Sequence, residues 1–204
     1  MRYDAKHKDQ SKARILAAAA RQFRGKGSEA VKVTDVMQAV GMTHGGFYRH
    51  FDDKDQLLRE AFDAALDQMC GQITKLTENM PRVAALKAVI ELYLSEDHLR
   101  HPDAGCAVAA VGTEMARMPR AMKLEISQAL DAYAERLGHL MPGDTDAQRR
   151  AAFLVLFPSM AGCIMTARSF ADKQRQRQVL AGGRAFFINA FCSQPNLSVL
   201  EVLQ

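Results

Sequence analysis

The 204-residue chain is predicted to be all-α, with about nine helices. Three observations predict this class. Apolar residues recur at three- and four-residue spacing through most of the chain, the repeat of a helix with one buried face. Capping residues open these runs, and Gly or Pro closes them. No segment shows the two-residue alternation of a half-buried strand, and no internal repeat or low-complexity tract is present. The helices divide into a three-helix unit over residues 1–54 and a larger helical domain over 55–204.

Composition sets the bounds. Hydrophobic residues make up 48% of the chain and charged residues 25%, as in a soluble globule. No apolar run is expected to approach the length that spans a bilayer. The polar start MRYDAKHKDQSK lacks the apolar core of a signal peptide, so a cytoplasmic protein without membrane attachment is expected. The net charge of +4 is unevenly spread. Residues 1–51 hold ten Lys/Arg against four Asp/Glu, whereas 52–204 hold 17 against 19. The basic excess therefore sits at the N-terminal end, as expected if that end meets phosphates. Cys70, Cys106, Cys163 and Cys192 are widely spaced without a C-x-x-C pair, which does not suggest a disulfide framework.

Gln10 to Gly27 reads as the first helix, with Ile15, Leu16, Ala19, Ala20 and Phe23 as its apolar stripe. Lys6, Lys8 and Lys12 precede or open it, either as phosphate contacts or as a solvated arm. The second helix carries Val33, Val36, Met37 and Val40 on one face. Thr34 is expected to cap it and Gly41 to end it. Thr43 then opens a third helix in which Phe47 and Phe51 face inward. His44, Gly45, Tyr48, Arg49 and His50 are left outside. Two short helices joined by a Gly-containing turn form a helix-turn-helix, whose second helix can enter the major groove of DNA.

Asp53 with Gln56 is a plausible capping box for a long fourth helix through Ile73. Pro81 opens a fifth over Val83 to Leu94. SEDHLRHPDAGC reads as a polar loop. A sixth helix runs from Gly105 or Cys106 to Met118, and Pro119 opens a seventh through Leu140. Thr145 with Gln148 is a second plausible capping box, opening an eighth helix that Pro158 should kink. The ninth starts near Lys173. The tail VLEVL packs as a short segment or frays.

T-H-G-G-F-Y-R-H-F followed by D-D-K-D-Q-L-L resembles the recognition helix and following helix of the TetR family of bacterial repressors, and the likeness runs from about Ser11 to Leu66. It departs at His44-Gly45-Gly46, where many members carry Lys-Gly-Ser. By chemistry, Tyr48 and His50 can donate to phosphate oxygens, and Arg49 can pair with phosphate or read guanine. Thr43 and His44 stand where base contacts begin. Gly45 and Gly46 let backbone approach the bases, at a helix cost of up to ~1 kcal/mol each. The resemblance carries Thr34, Thr43, Gly45, Tyr48, His50 and Lys54 over as DNA-contacting positions.

The resemblance also implies a small-molecule pocket and a homodimer interface in the rest of the chain, the interface formed by the last two long helices. Small residues Ala161, Gly162, Ala167, Gly182 and Gly183 and the rings of Phe153, Phe157, Phe186 and Phe187 suit such an interface, or alternatively the core. Met115, Met118, Met122, Met160 and Met165 suit a permissive pocket, although core filler is the plainer reading. Tyr93, Glu114 and Arg168 are polar groups near apolar faces that can orient an effector.

Cys106 stands at the expected start of the sixth helix, where a dipole lowers a thiol pKa, and this opens a thiol-sensor alternative. A buried, inert cysteine is the plainer reading. His98-x-x-His101 with Cys106 has zinc-ligand types but no second tight pair, so neither metal nor cofactor is expected. No phosphate-loop, dinucleotide, zinc-protease or nucleophile-elbow motif occurs, which argues against an enzyme. The expectation is a dimeric transcriptional repressor that binds double-stranded operator DNA and is released by a small-molecule effector.

Overall fold

A computed structural model of the chain describes residues 2–193 and 195. Nine α-helices and no strand occur among the described residues. They are α1 (Arg2–Lys26), α2 (Val33–Ala39), α3 (Lys54–Thr77), α4 (Arg82–Tyr93), α5 (Glu96–Arg100), α6 (Ala107–Met115), α7 (Arg120–Leu137), α8 (Asp146–Ser169) and α9 (Lys173–Ile188). The VLEVL tail lies outside the described residues.

The number of helices agrees with the sequence, but two assignments change. Residues His44–Arg49 form a 3-10 helix rather than an α-helix. Two consecutive glycines weaken the run, and six residues are too few to repay nucleation of a longer helix. The expected polar loop contains α5. Ser95 caps it by accepting the His98 amide at 3.1 Å, and Glu96 and Asp97 lie in its first turn, where negative charge is favoured.

The chain splits into two compact units. The first comprises Met1–Asp67 with Pro102–Ser127; the second comprises Gln68–His101 with Gln128–Gln204. These limits differ from the sequence boundary at residue 54, and α3 and α7 contribute residues to both units.

In the first unit, α1 packs on α2, and α2 on the 3-10 helix. Ile15, Ala19, Val36, Met37, Phe47 and Phe51 are all buried. Phe47 and Phe51 stack with centroids 5.4 Å apart. Burial of each such side chain stabilises by about 1.5–3 kcal/mol, so these two rings anchor the turn. Arg14 adds a clamp, donating to the Val40 carbonyl at the end of α2 at 2.8 Å. The segment Pro102–Ala104 and α6 also pack on α1. Arg24 donates to the Gly105 carbonyl at 3.1 Å, and burial pulls its pKa below the ordinary arginine value.

In the second unit, α8 packs on α9, α5 on α8, and α4 on α9. The capping box of Thr145 and Gln148 is present and sets the start of α8. By length and composition α8 is apolar enough to cross a membrane, contrary to the sequence reading. Yet Phe153, Leu156, Phe157, Met160, Ala161 and Ile164 are all buried, which makes α8 a core helix of its unit. It continues through Pro158. Phe157 is the hub: Phe153 stacks on it at 4.4 Å, and Tyr93 and Tyr133 meet it edge-on at 5.9 and 5.8 Å.

Candidate nucleic-acid interface

The turn of the helix-turn-helix is set by Gly41. Its φ of +73° is left-handed backbone that glycine adopts without a Cβ penalty. Gly41 and Met42 return their amides to the carbonyls of Gln38 and Met37 at 3.0 and 2.9 Å, closing α2. The chain then enters the 3-10 helix at Thr43. The Thr43 side chain makes no cap, but its carbonyl accepts the Gly46 amide at 3.0 Å.

With Phe47 and Phe51 locked inward, the intervening residues turn outward. Thr43, His44, Gly45, Tyr48 and Arg49 are exposed, Tyr48 by 65%. Tyr48 stands edge-on to both His44 and Phe47, at 5.7 and 5.2 Å, which orients an otherwise free ring. A methyl group added at Gly45 would meet nothing within 4 Å, so packing inside the protein does not demand glycine there.

His50 is half-buried. Its pKa is lowered, first by burial and then by the positive charges of Lys8, Lys12 and Arg49. Lys54 opens α3 and donates to the Glu29 carbonyl at 3.5 Å, leaving it half-buried. Thr34 does not cap α2. The helix starts one residue earlier, at Val33, and the Thr34 hydroxyl instead approaches the Asp35 carboxylate at 3.3 Å from an exposed position. Gln56 accepts from Asp52 rather than Asp53, while its own amide bonds the Asp53 carboxylate at 2.7 Å. The cap of α3 thus uses both aspartates.

The N-terminal part of α1 carries Lys6, Lys8 and Lys12, for which the sequence allows either phosphate contact or a solvated arm. His7, Lys8 and Ser11 line a groove of about 760 Å³ together with Thr43, Gly45, Arg49 and His50. The lysine spacing was visible in the sequence, but its proximity to the turn was not.

The residues singled out for an effector fall in different places. In the first unit, Glu114 is engaged by Ser28, whose amide donates to its carboxylate at 2.7 Å and whose hydroxyl donates to the same oxygen. Cys106 is buried at the N-cap position of α6, and Met118 is half-buried. In the second unit, Tyr93 is buried against Phe157 and His98, and Met165 is half-buried. Arg168 donates to the carbonyls of Leu99 and His98 at 3.2 and 2.7 Å, securing the end of α5. Glu114 and Arg168 thus hold backbone, a role that their chain neighbours do not reveal.

The residues expected at a dimer interface fall into two groups. Phe157, Ala161 and Phe187 are buried within one chain. A Cβ on Gly183 would come within 3.1 Å of Leu94 and 3.3 Å of Cys163, so this glycine serves packing inside the unit. The exposed apolar groups of the same two helices are Leu154, Val155 and Phe186, the last 66% exposed. Gly162 and Gly182 are also exposed.

The thiol-sensor reading loses its footing, because Cys106 is 5% exposed and an electrophile needs access. Burial raises the thiol pKa of Cys163 and of Cys192. His98 donates from Nδ1 to the Tyr93 carbonyl at 2.6 Å, and His101 lies 3.0 Å from Asp97. No group of three metal-ligating side chains occurs among the described residues.

Comparison with known proteins agrees with this geometry. Residues 15–61 match the family model for bacterial regulatory proteins of the tetR family. The HTH-type transcriptional regulator YfiR of Bacillus subtilis (strain 168) is 29% identical over 85 residues, 42% of each chain. The HTH-type transcriptional repressor KstR2 of Rhodococcus jostii (strain RHA1) is 28% identical over 88 residues, 43% of each chain. Both alignments span less than half of the relative. The fold extends further: a TetR transcriptional regulator from Chloroflexus aurantiacus J-10-FL superposes with a TM-score of 0.68 at 20% identity, over 91% of this chain and 98% of that one.

Proposed function

We propose that the chain, whose residues 15–61 match the family model for bacterial regulatory proteins of the tetR family, is a homodimeric transcriptional repressor of that family in the cytoplasm. It binds operator DNA through the 3-10 helix and leaves it when a small-molecule effector binds the larger helical region. It is a regulator and not an enzyme. The observation that carries the reading is the exposed set Thr43, His44, Gly45, Tyr48 and Arg49 held over the buried Phe47–Phe51 stack.

Each side chain has a role in this reading. Arg49 reads a base edge or pairs with phosphate, Tyr48 and His50 donate to phosphate oxygens, and Thr43, His44 and Gly45 lie nearest the bases. Thr34 and Lys54 make backbone contacts at the flanks. Two copies place two such helices about 34–36 Å apart on successive major grooves. Leu154, Val155 and Phe186, with Gly162 and Gly182 for close approach, form the dimer face. The effector site is drawn from residues of the second unit such as Met165 and Tyr93, the latter edge-on to the Phe157 hub. Release follows if the effector prefers a spacing of the two DNA-binding units that does not fit DNA.

The test is a gel shift on the DNA upstream of the protein's own gene. Tyr48→Ala and Arg49→Ala should each lower affinity, and Arg49→Ala should relax preference at one base position by about 1–3 kcal/mol if it reads a base. Equal binding by both variants and the parent would remove this helix from the interface.

A further inference from the structure

We propose that the start of α1 supplies half of a cradle for one backbone phosphate of double-stranded DNA, with His7, Lys8 and Ser11 lining one groove with Thr43, Arg49 and His50. The inference rests on the DNA-binding reading and adds a second element to it. Three observations carry it. The groove, about 760 Å³ in volume, is lined by a lysine, an arginine and two histidines, and by no carboxylate. A concavity lined by one sign of charge focuses potential toward an anion.

The second observation is the fate of the nearby acids and bases. Lys12, one turn along α1, is paired with Glu60 at 2.6 Å, so its charge is largely spoken for. Lys8 and Arg49 line the groove without a carboxylate among its walls to neutralise them. The third is His50, whose Nδ1 is shut off from solvent and has no hydrogen-bond partner among the described residues. Its own burial, and then the positive charges of Lys8, Lys12 and Arg49, oppose protonation of His50. A DNA phosphodiester seated in the groove, with its single negative charge, opposes that field. Ser11 is buried at the base of this segment, which ties the groove wall to α1 rather than to a loose arm.

Phosphate contacts position a protein on DNA and carry no sequence information. The α1 side of the cradle therefore sets affinity and salt dependence and leaves base preference alone. Each phosphate neutralised contributes about 0.9 to the slope of log K against log salt. Removing one contact then weakens binding about eightfold at 0.1 M salt, and progressively less as salt rises.

The experiment titrates the full-length protein, by fluorescence anisotropy over a salt series, with two labelled duplexes: the region upstream of its own gene and an unrelated sequence. Lys8→Ala and the pair His7→Ala, Lys8→Ala should lower the slope by about one and weaken both duplexes by the same factor. Lys8→Arg should restore both quantities, since the charge returns. Circular dichroism and thermal melts should match the parent, because His7 and Lys8 are exposed. Tyr48→Ala serves as the reference. If it weakens binding while Lys8→Ala leaves the slope unchanged, the cradle is overturned and the helix-turn-helix reading stands. If neither variant changes anything, both fall.

Discussion

The Glu114 carboxylate accepts both the amide and the hydroxyl of Ser28, tying α6 to the segment between α1 and α2 within the first unit. Ser28 is 7% exposed, so water cannot substitute freely. Gly27, beside it, has a φ of +82°, and a Cβ there would approach the Glu114 carboxylate to 2.6 Å. Glu114→Ala should therefore destabilise the protein by about 1–3 kcal/mol, the cost of a buried donor left unsatisfied. Glu114→Gln retains an acceptor and should cost less. Gly27→Ala combines backbone strain with the clash and should be worse than Glu114→Gln. Thermal melts check the order, at about 2–4 °C per kcal/mol for a chain of this size. Melting temperatures equal to the parent's in all three variants would show that the contact does not stabilise the fold.

Gly45 offers a separate handle on DNA approach. Nothing in the protein lies within 4 Å of an added Cβ. Gly45→Ala should leave stability unchanged or raise it by about 0.4–1 kcal/mol, through loss of unfolded-state freedom. If the backbone passes close to the bases, affinity for the upstream DNA should still fall about tenfold, or 1.4 kcal/mol. A variant that is more stable and binds as tightly as the parent would mean that the backbone does not approach the bases at this point.

His50 gives a pH dependence with two signs. Its folded pKa lies below its unfolded value, so the unfolded chain binds more protons in the window between them. Stability from this group is thus present above the ordinary histidine value, about 6.5, and declines as pH falls below it. DNA binding runs the other way. Phosphate beside His50 favours the imidazolium, so binding takes up a proton and affinity rises as pH falls from about 7.5 to 6. His50→Gln should flatten both trends. Denaturant melts and anisotropy titrations across that range make the comparison, and an unaltered pH profile of affinity in the variant would exclude His50 from the linkage.

Thiol labelling checks the correction at Cys106. Cys70 and Cys106 are buried, whereas Cys163 and Cys192 are half-exposed. Iodoacetamide should modify Cys163 and Cys192 first, and only slowly, because burial raises both thiol pKa values. Peptide mass mapping over time gives the order. Rapid alkylation of Cys106 with loss of DNA binding would revive the sensor mechanism.

Assembly should depend on the exposed ring of α9. Phe186→Asp places a charge on a group that is 66% exposed in one chain and should weaken self-association by about 2 kcal/mol or more if the ring lies at the centre of the dimer face. Phe187→Asp, at a buried position, should instead unfold the second unit. Sedimentation and circular dichroism separate these effects; an undisturbed dimer of Phe186→Asp would move the interface elsewhere.

What the sequence determined by itself was local. The spacing of Val36, Met37, Phe47 and Phe51, the glycine at position 41 and the Thr145–Gln148 box each act within a few residues, so each could be placed without knowledge of the fold. The sequence also placed the outward side chains of the 3-10 helix, because fixing two rings inward dictates which neighbours face out. It did not separate a 3-10 from an α-helix across Gly45-Gly46, where the energetic difference is small.

Tertiary structure decided everything that depends on distant partners. Glu114 and Arg168 looked like effector ligands until they met Ser28, 86 residues away, and the His98 carbonyl, 70 residues away. Of the residues that carry the small-and-aromatic pattern of an interface, Phe157, Ala161, Gly183 and Phe187 pack within their own unit, while Gly162, Gly182 and Phe186 stay outside, as do Leu154 and Val155. A helix with apolar residues on more than one side has several ways to face inward. Packing against α5 and α9 selects one for α8, and that selection decides which face is left for a partner.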